Sequence, residues 1–163
     1  MAKESAGLLF YRKRAGKMEF LLVHPGGPFW KNKDDGAWTI PKGEIQPSED
    51  PLTAAQREFE EELGFKPNGT FIPLTPIKQK SGKIVRAWAI EGGWDPAQLK
   101  SNTFSLEWPP HSGKVQQFPE VDRAAFFDLR LALTKINPAQ IPLLEELEGH
   151  YGLGTEHRKS SAA

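Results

Sequence analysis

A chain of 163 residues, 38% apolar and 26% charged, fits one soluble domain with a real core. Its 21 Lys and Arg balance 21 Asp and Glu, so no global field draws it to nucleic acid or a membrane, and an anion must be held by a local arrangement. The absence of cysteine excludes disulfides, thiolate metal sites and a cysteine nucleophile, and it suits a reducing cytoplasm.

In chain order, the apolar stretch Ala6 to Tyr11 between charged flanks is too short for a signal-peptide core or a membrane span, so a soluble, cytoplasmic protein is expected. SAGLLFYR (5–12) and EFLLVH (19–24) read as two strands, followed by a loop, PGGPFWKNKDDG (25–36), and a brief extended piece, AWTIP (37–41). Residues 51–63 form the clearest helix: Asp50 can cap it, Pro51 suits its first position, and Gly64 can end it. Strands over 71–80 and 83–91 turn at Ser81-Gly82; residues 92–120 read as irregular and proline-punctuated. A last strand covers 123–127 and a last amphipathic helix 138–148. Residues 1–149 are read as one domain and 150–163 as a disordered tail. Strands interleaved with two helices predict an α/β or α+β layer fold on a mixed sheet.

The predicted helix crowds four glutamates between positions 58 and 62. Glu58, Glu61 and Glu62 are related by i+3 and i+4 and share one face, while Leu52, Ala55, Phe59 and Leu63 form the apolar stripe. Like charges at this spacing cost about 0.2–0.5 kcal/mol per pair, and anions near a helix C-terminus oppose its dipole. Two readings stand at this point, a plain solvated face and a binding site for a divalent cation. Three carboxylates on one face are hard oxygen donors suited to Mg²⁺ or Mn²⁺. Zinc is disfavoured: there is no cysteine, and His24, His111, His150 and His157 lack paired ligand spacing.

From Gly43, five residues lead to Glu49 and seven more to Arg57, followed by Glu58-Phe59-Glu60-Glu61-Glu62-Leu63-Gly64-Phe65. This segment resembles the signature of the Nudix (MutT-like) hydrolases, Gx5Ex7REUxEExGU, with U a bulky apolar residue, and every defined position matches. The resemblance implies an α/β/α sandwich with a mixed sheet, and hydrolysis of a nucleoside diphosphate linked to another group with Mg²⁺ or Mn²⁺. It implies Glu58, Glu61 and Glu62 as catalytic, metal-binding carboxylates, with the Gly43 carbonyl as a further ligand. Glu49 and Arg57 are implied as the ion pair that orients the catalytic loop. Glu61 is the first choice of general base, with Glu107 and Glu120 as alternatives from the long irregular segment.

Substrate candidates are Lys42, next to Gly43, Arg86 and Trp88 on one face of their strand, and Trp30 and Trp38 beside the lysines of the 25–36 loop. The loop SNTFSLEWPPHSGK repeats the pairing of aromatics with cations. The expected substrate is a nucleoside triphosphate or a dinucleoside polyphosphate. An RNA 5′-end pyrophosphohydrolase and a non-catalytic nucleotide sensor are the alternatives. No extended nucleic-acid surface is evident, and the resemblance permits a homodimer that no feature of the sequence demands.

Overall fold

In the computed structural model, residues 3–150 are described. The two N-terminal apolar runs lengthen into β1 (Glu4–Arg14) and β2 (Lys17–Pro25), followed by β3 (Lys42–Glu44) and α1 (Pro51–Leu63). Next come β4 (Ile72–Pro73), β5 (Ile77–Lys78), β6 (Ile84–Glu91), β7 (Thr103–Glu107), β8 (Val115–Pro119), β9 (Val121–Asp128), α2 (Leu129–Lys135) and α3 (Ile141–Glu148). The main sheet has the order β4-β6-β1-β2-β9, with β3 paired to β1 and β5 to β6. β1 and β6 run parallel and the other ladders antiparallel, giving the mixed sheet.

Side-chain alternation assigns the two faces. Leu9 and Tyr11 of β1, Phe20 and Leu22 of β2, and Val85, Ala87 and Ala89 of β6 pack under α2 and α3. Ala6, Leu8 and Phe10, Leu21 and Val23, and Ile90 pack under α1, where Ala54, Ala55, Phe59 and Leu63 meet them. One helix layer thus covers each face, an α/β/α sandwich. The turn before α3 is tied to the 37–41 segment through Gln140, which is fully buried and accepts a hydrogen bond from the Ile40 N–H at 3.0 Å. Gln140→Ala leaves that buried donor unpaired and is expected to cost about 1–3 kcal/mol, read as a lower urea midpoint; an unchanged midpoint would contradict this.

β1 is shared between two partners. Its C-terminal half pairs with β2 from Tyr11↔Phe20 to Arg14↔Lys17, and its N-terminal half pairs with β3 at Ser5↔Glu44, Ala6↔Gly43 and Gly7↔Lys42. This split sets Gly43 into the sheet directly under α1.

Four expectations change. The 71–80 strand is two short pieces, because Pro73 and Pro76 cannot donate to a ladder. The 92–120 stretch is not irregular throughout: β7 and β8 pair from Thr103↔Pro119 to Glu107↔Val115 as a separate hairpin. α2 was unexpected; Asp128 caps it by accepting from the Leu131 N–H at 2.9 Å. The last helix starts at Ile141, with Pro138–Gln140 forming a 3-10 turn before it. The expected tail, apart from His150, lies outside the described residues. Among the described residues no helix is long and apolar enough to cross a membrane.

Candidate active site

α1 is closed at both ends as its sequence predicts. Asp50 accepts from the Thr53 N–H at 3.1 Å, and Gly64 takes the left-handed conformation at φ 88°, donating to the Glu60 carbonyl at 2.8 Å. Two further carbonyls of the last turn are claimed from outside. Lys100 N–H donates to the Leu63 carbonyl at 3.1 Å, and Asn102 N–H to the Glu61 carbonyl at 2.9 Å. The Asn102 carbonyl then accepts from the Glu120 N–H at 2.8 Å, and the Glu120 carbonyl accepts from the Gly26 N–H at 2.9 Å. Segment 100–102 is a clip that holds Glu120 against the acidic end of α1.

Arg57 is the organising cation. Its Nε donates to Glu49 at 2.8 Å, and Nη2 donates to Glu49 at 3.0 Å and to the Glu44 carbonyl at 3.2 Å. Its Nη1 donates to Glu58 at 3.0 Å and to Glu61 at 3.3 Å. The guanidinium thus bridges the loop after β3 to two carboxylates of the acidic face. Glu49 also accepts from the Gln46 N–H at 3.0 Å. The Arg57 hydrogen bonds hold the Glu49 carboxyl at about 2, well below its ordinary 4.5, and Glu49 in turn raises the Arg57 pKa.

The other carboxylates are shifted the opposite way. Glu62 is only 8% exposed; burial and the charges of Glu58 and Glu120 push its pKa well up, against Lys42, whose backbone N–H donates to it. Glu58 is raised by burial and by Glu61 and Glu120, and Glu120 by burial and by Glu61. The Lys42 ammonium is lowered by burial and by Lys83. Glu58, Glu61, Glu62 and Glu120 are therefore one mutually repelling group.

The donor set fits a hard divalent cation. The carboxylate oxygens are the right ligand chemistry, and the crowding is the kind a cation relieves. Among the described residues no three ligating side chains are already gathered into a metal cluster. Nη1 of Arg57 holds Glu58 at 3.0 Å and Glu61 at 3.3 Å. Gly43 completes the group, since a Cβ there would overlap the Glu58 carboxyl group. Gly43→Ala must displace that carboxylate; turnover is expected to fall about 10²-fold with a folded, cooperative melting curve. Wild-type turnover in this variant would rule out the placement of Glu58.

The other predicted residues scatter. Glu107 accepts from the His111 and Gly113 N–H groups, both at 3.2 Å, and shapes the tip of the β7–β8 hairpin. Arg86 pairs with Glu4 at 2.8 Å, and Trp88 packs with the α1-side cluster. Trp38 is only 4% exposed; its indole packs edge-on to Phe127 in the core and donates to Asp34 at 2.8 Å, so it has little surface to offer a base. Trp30 is 39% exposed with the Lys33 ammonium 5.0 Å from its ring centroid. The clip residues Ser101, whose hydroxyl accepts from the Val121 N–H at 3.0 Å, and Asn102 had no signal in the sequence, because they act through backbone and hydroxyl contacts far along the chain.

The NUDIX domain profile matches residues 1–147. The chain belongs to the NUDIX domain family. Within it, the chain is similar to the asymmetrical bis(5′-nucleosyl)-tetraphosphatase of Caenorhabditis elegans, 47% identical over 65 residues. That match spans 40% of this chain and 43% of the relative, less than half the length of either. The fold is like that of a C. elegans Ap4A hydrolase binary complex, with TM-score 0.61 and 27% identity, covering 93% of this chain and 98% of the other. The NUDIX domain of Shewanella oneidensis NrtR complexed with ADP ribose shares the fold at TM-score 0.63 and 14% identity, with 92% and 88% of the two chains covered.

Proposed function

We propose that this NUDIX protein hydrolyses a phosphoric anhydride of a nucleoside polyphosphate, either a triphosphate or a dinucleoside polyphosphate, with Mg²⁺ or Mn²⁺ as cofactor. The observation that carries the reading is the intact acidic face of α1, tied by Arg57 to the loop before it and seated on Gly43. The names of the C. elegans relatives support the substrate class. A cytoplasmic setting goes with it.

Glu58, Glu61 and Glu62 would hold the cation, with Gly43 contributing its carbonyl. When bound, the cation neutralises pyrophosphate charge and makes a bound water more acidic. Arg57 and Glu49 position the carboxylates rather than touching substrate. Lys42, half-buried beside Gly43, places a cation where phosphate oxygens approach. Glu61, with a third of its side chain open to solvent, takes the proton of the attacking water. Glu120 is the alternative acceptor, because the clip brings it to Glu61 and its raised pKa improves its basicity.

The test is product analysis with Mg²⁺, Mn²⁺ or EDTA on diadenosine tetraphosphate, nucleoside triphosphates, ADP-ribose and a triphosphorylated RNA oligomer. Metal-dependent cleavage of one of the first two classes is the expected result. Exclusive cleavage of the RNA 5′ end or of ADP-ribose would replace the substrate assignment, and no turnover of any would remove the enzymatic reading.

A further inference from the structure

The β7–β8 hairpin stands apart from the main sheet, and between it and the 26–36 loop lies an open cleft of about 580 Å³. Trp108 and Phe118 supply aromatic lining, Lys31 a cation, and Gln116 and Asp122 polar groups. Both walls are pre-formed. His24 is fully buried and bridges Asp122 Oδ1 at 2.7 Å to the Lys33 carbonyl at 2.6 Å, fixing loop to strand. At the hairpin tip, Gln116 Nε2 donates to the Trp108 carbonyl at 2.7 Å and Trp108 N–H donates to the Lys114 carbonyl at 2.9 Å. Phe29, 60% exposed, meets the Trp108 ring edge-on at 5.2 Å across the cleft mouth.

We propose that this cleft seats the base of a nucleoside at the far end of the polyphosphate chain, a site separate from the acidic face of α1. A planar base gains from stacking on an aromatic lining. The hydrogen bonds above engage Asp122 through Oδ1 and Gln116 through Nε2, which leaves Asp122 Oδ2 and Gln116 Oε1 as acceptors for an exocyclic amine. Lys31 is the cation for a phosphate leaving the cleft. The cleft also adjoins the candidate active site: Pro119 lines it, and the next residue, Glu120, is the one clipped to α1. A dinucleoside polyphosphate with one base here can thus lay its phosphates toward Glu61. This inference deepens the proposed function and rests on it for the second half of the substrate, but the base site is tested without turnover.

The experiment is calorimetric titration of the full chain with AMP in EDTA, with IMP, which lacks the exocyclic amine, as the comparison. Saturable AMP binding is expected, at least tenfold weaker in Trp108→Ala and weaker in Lys31→Ala, retained in Glu58→Gln, and at least tenfold weaker for IMP. AMP should also shift the Trp108 indole N–H resonance of the wild-type protein, a readout that holds if Trp108→Ala does not fold. Absent AMP binding, or binding indifferent to both cleft variants and sensitive to Glu58→Gln, overturns the assignment. A protein that binds AMP in this way yet cleaves neither a nucleoside triphosphate nor a dinucleoside polyphosphate would lose the proposed function and keep the cleft.

Discussion

Glu62→Gln is expected to lower turnover about 10²- to 10³-fold while leaving the metal-free protein at least as stable as the wild type. The two effects have one cause. Glu62 is almost enclosed, and burial with the charges of Glu58 and Glu120 raises its pKa well above 4.5. A carboxylate whose folded pKa exceeds its unfolded one binds more protons when folded, so its ionisation penalises the fold above the folded pKa. That penalty fades as pH falls toward the unfolded value. Glutamine keeps the shape and an acceptor for the Lys42 N–H but carries no charge, so it removes the penalty together with the cation ligand. The stability advantage of the variant in EDTA should therefore shrink between neutral pH and 4.5, as read by urea denaturation at several pH values. A variant that turns over normally, or is grossly unstable at neutral pH, contradicts this account of Glu62.

Arg57→Ala should be the most damaging change outside the cation ligands. It removes donors to Glu49, Glu58, Glu61 and the Glu44 carbonyl at once. Loss of the loop-to-helix tie is expected to cost about 10²-fold in turnover by misplacing the carboxylates. Loss of these charge-assisted hydrogen bonds should also lower the urea midpoint at neutral pH. Arg57→Lys should recover little, since an ammonium cannot span Glu49 and Glu58 as a fork. The pH dependence runs opposite to that of Glu62. Glu49 is depressed to about 2, so its stabilisation is complete above 4.5 and disappears as pH falls toward 2. The gap between wild type and Arg57→Ala should close over that window, and a gap that persists in acid would mean the pair is not its source.

α1, with its caps, its apolar stripe and its three aligned carboxylates, was legible because helix period and capping chemistry act within a few residues. The Glu49–Arg57 tie was legible only through the family signature, since nothing local in the intervening residues predicts it. The β7–β8 hairpin was half legible: TFSLE alternates exposed and half-buried positions, but flanking prolines and the polar partner VQQFP masked the pairing. The placement of Glu120 could not be read at all. It depends on Lys100 and Asn102 capping α1 from some forty residues away, a long-range backbone arrangement with no compositional trace. Trp38 shows the converse case, an aromatic beside lysines in a loop-like stretch whose ring the tertiary packing takes into the core.

The most direct test of the central claim is a Mn²⁺ titration at neutral pH, followed by the electron paramagnetic resonance of free Mn²⁺, on the wild type, Glu58→Gln and Glu62→Gln. Saturable binding by the wild type, weakened tenfold or more in each variant, is the result predicted if the acidic face of α1 exists to be completed by a divalent cation. Equal binding by all three proteins, or none by the wild type even with diadenosine tetraphosphate present, would contradict it.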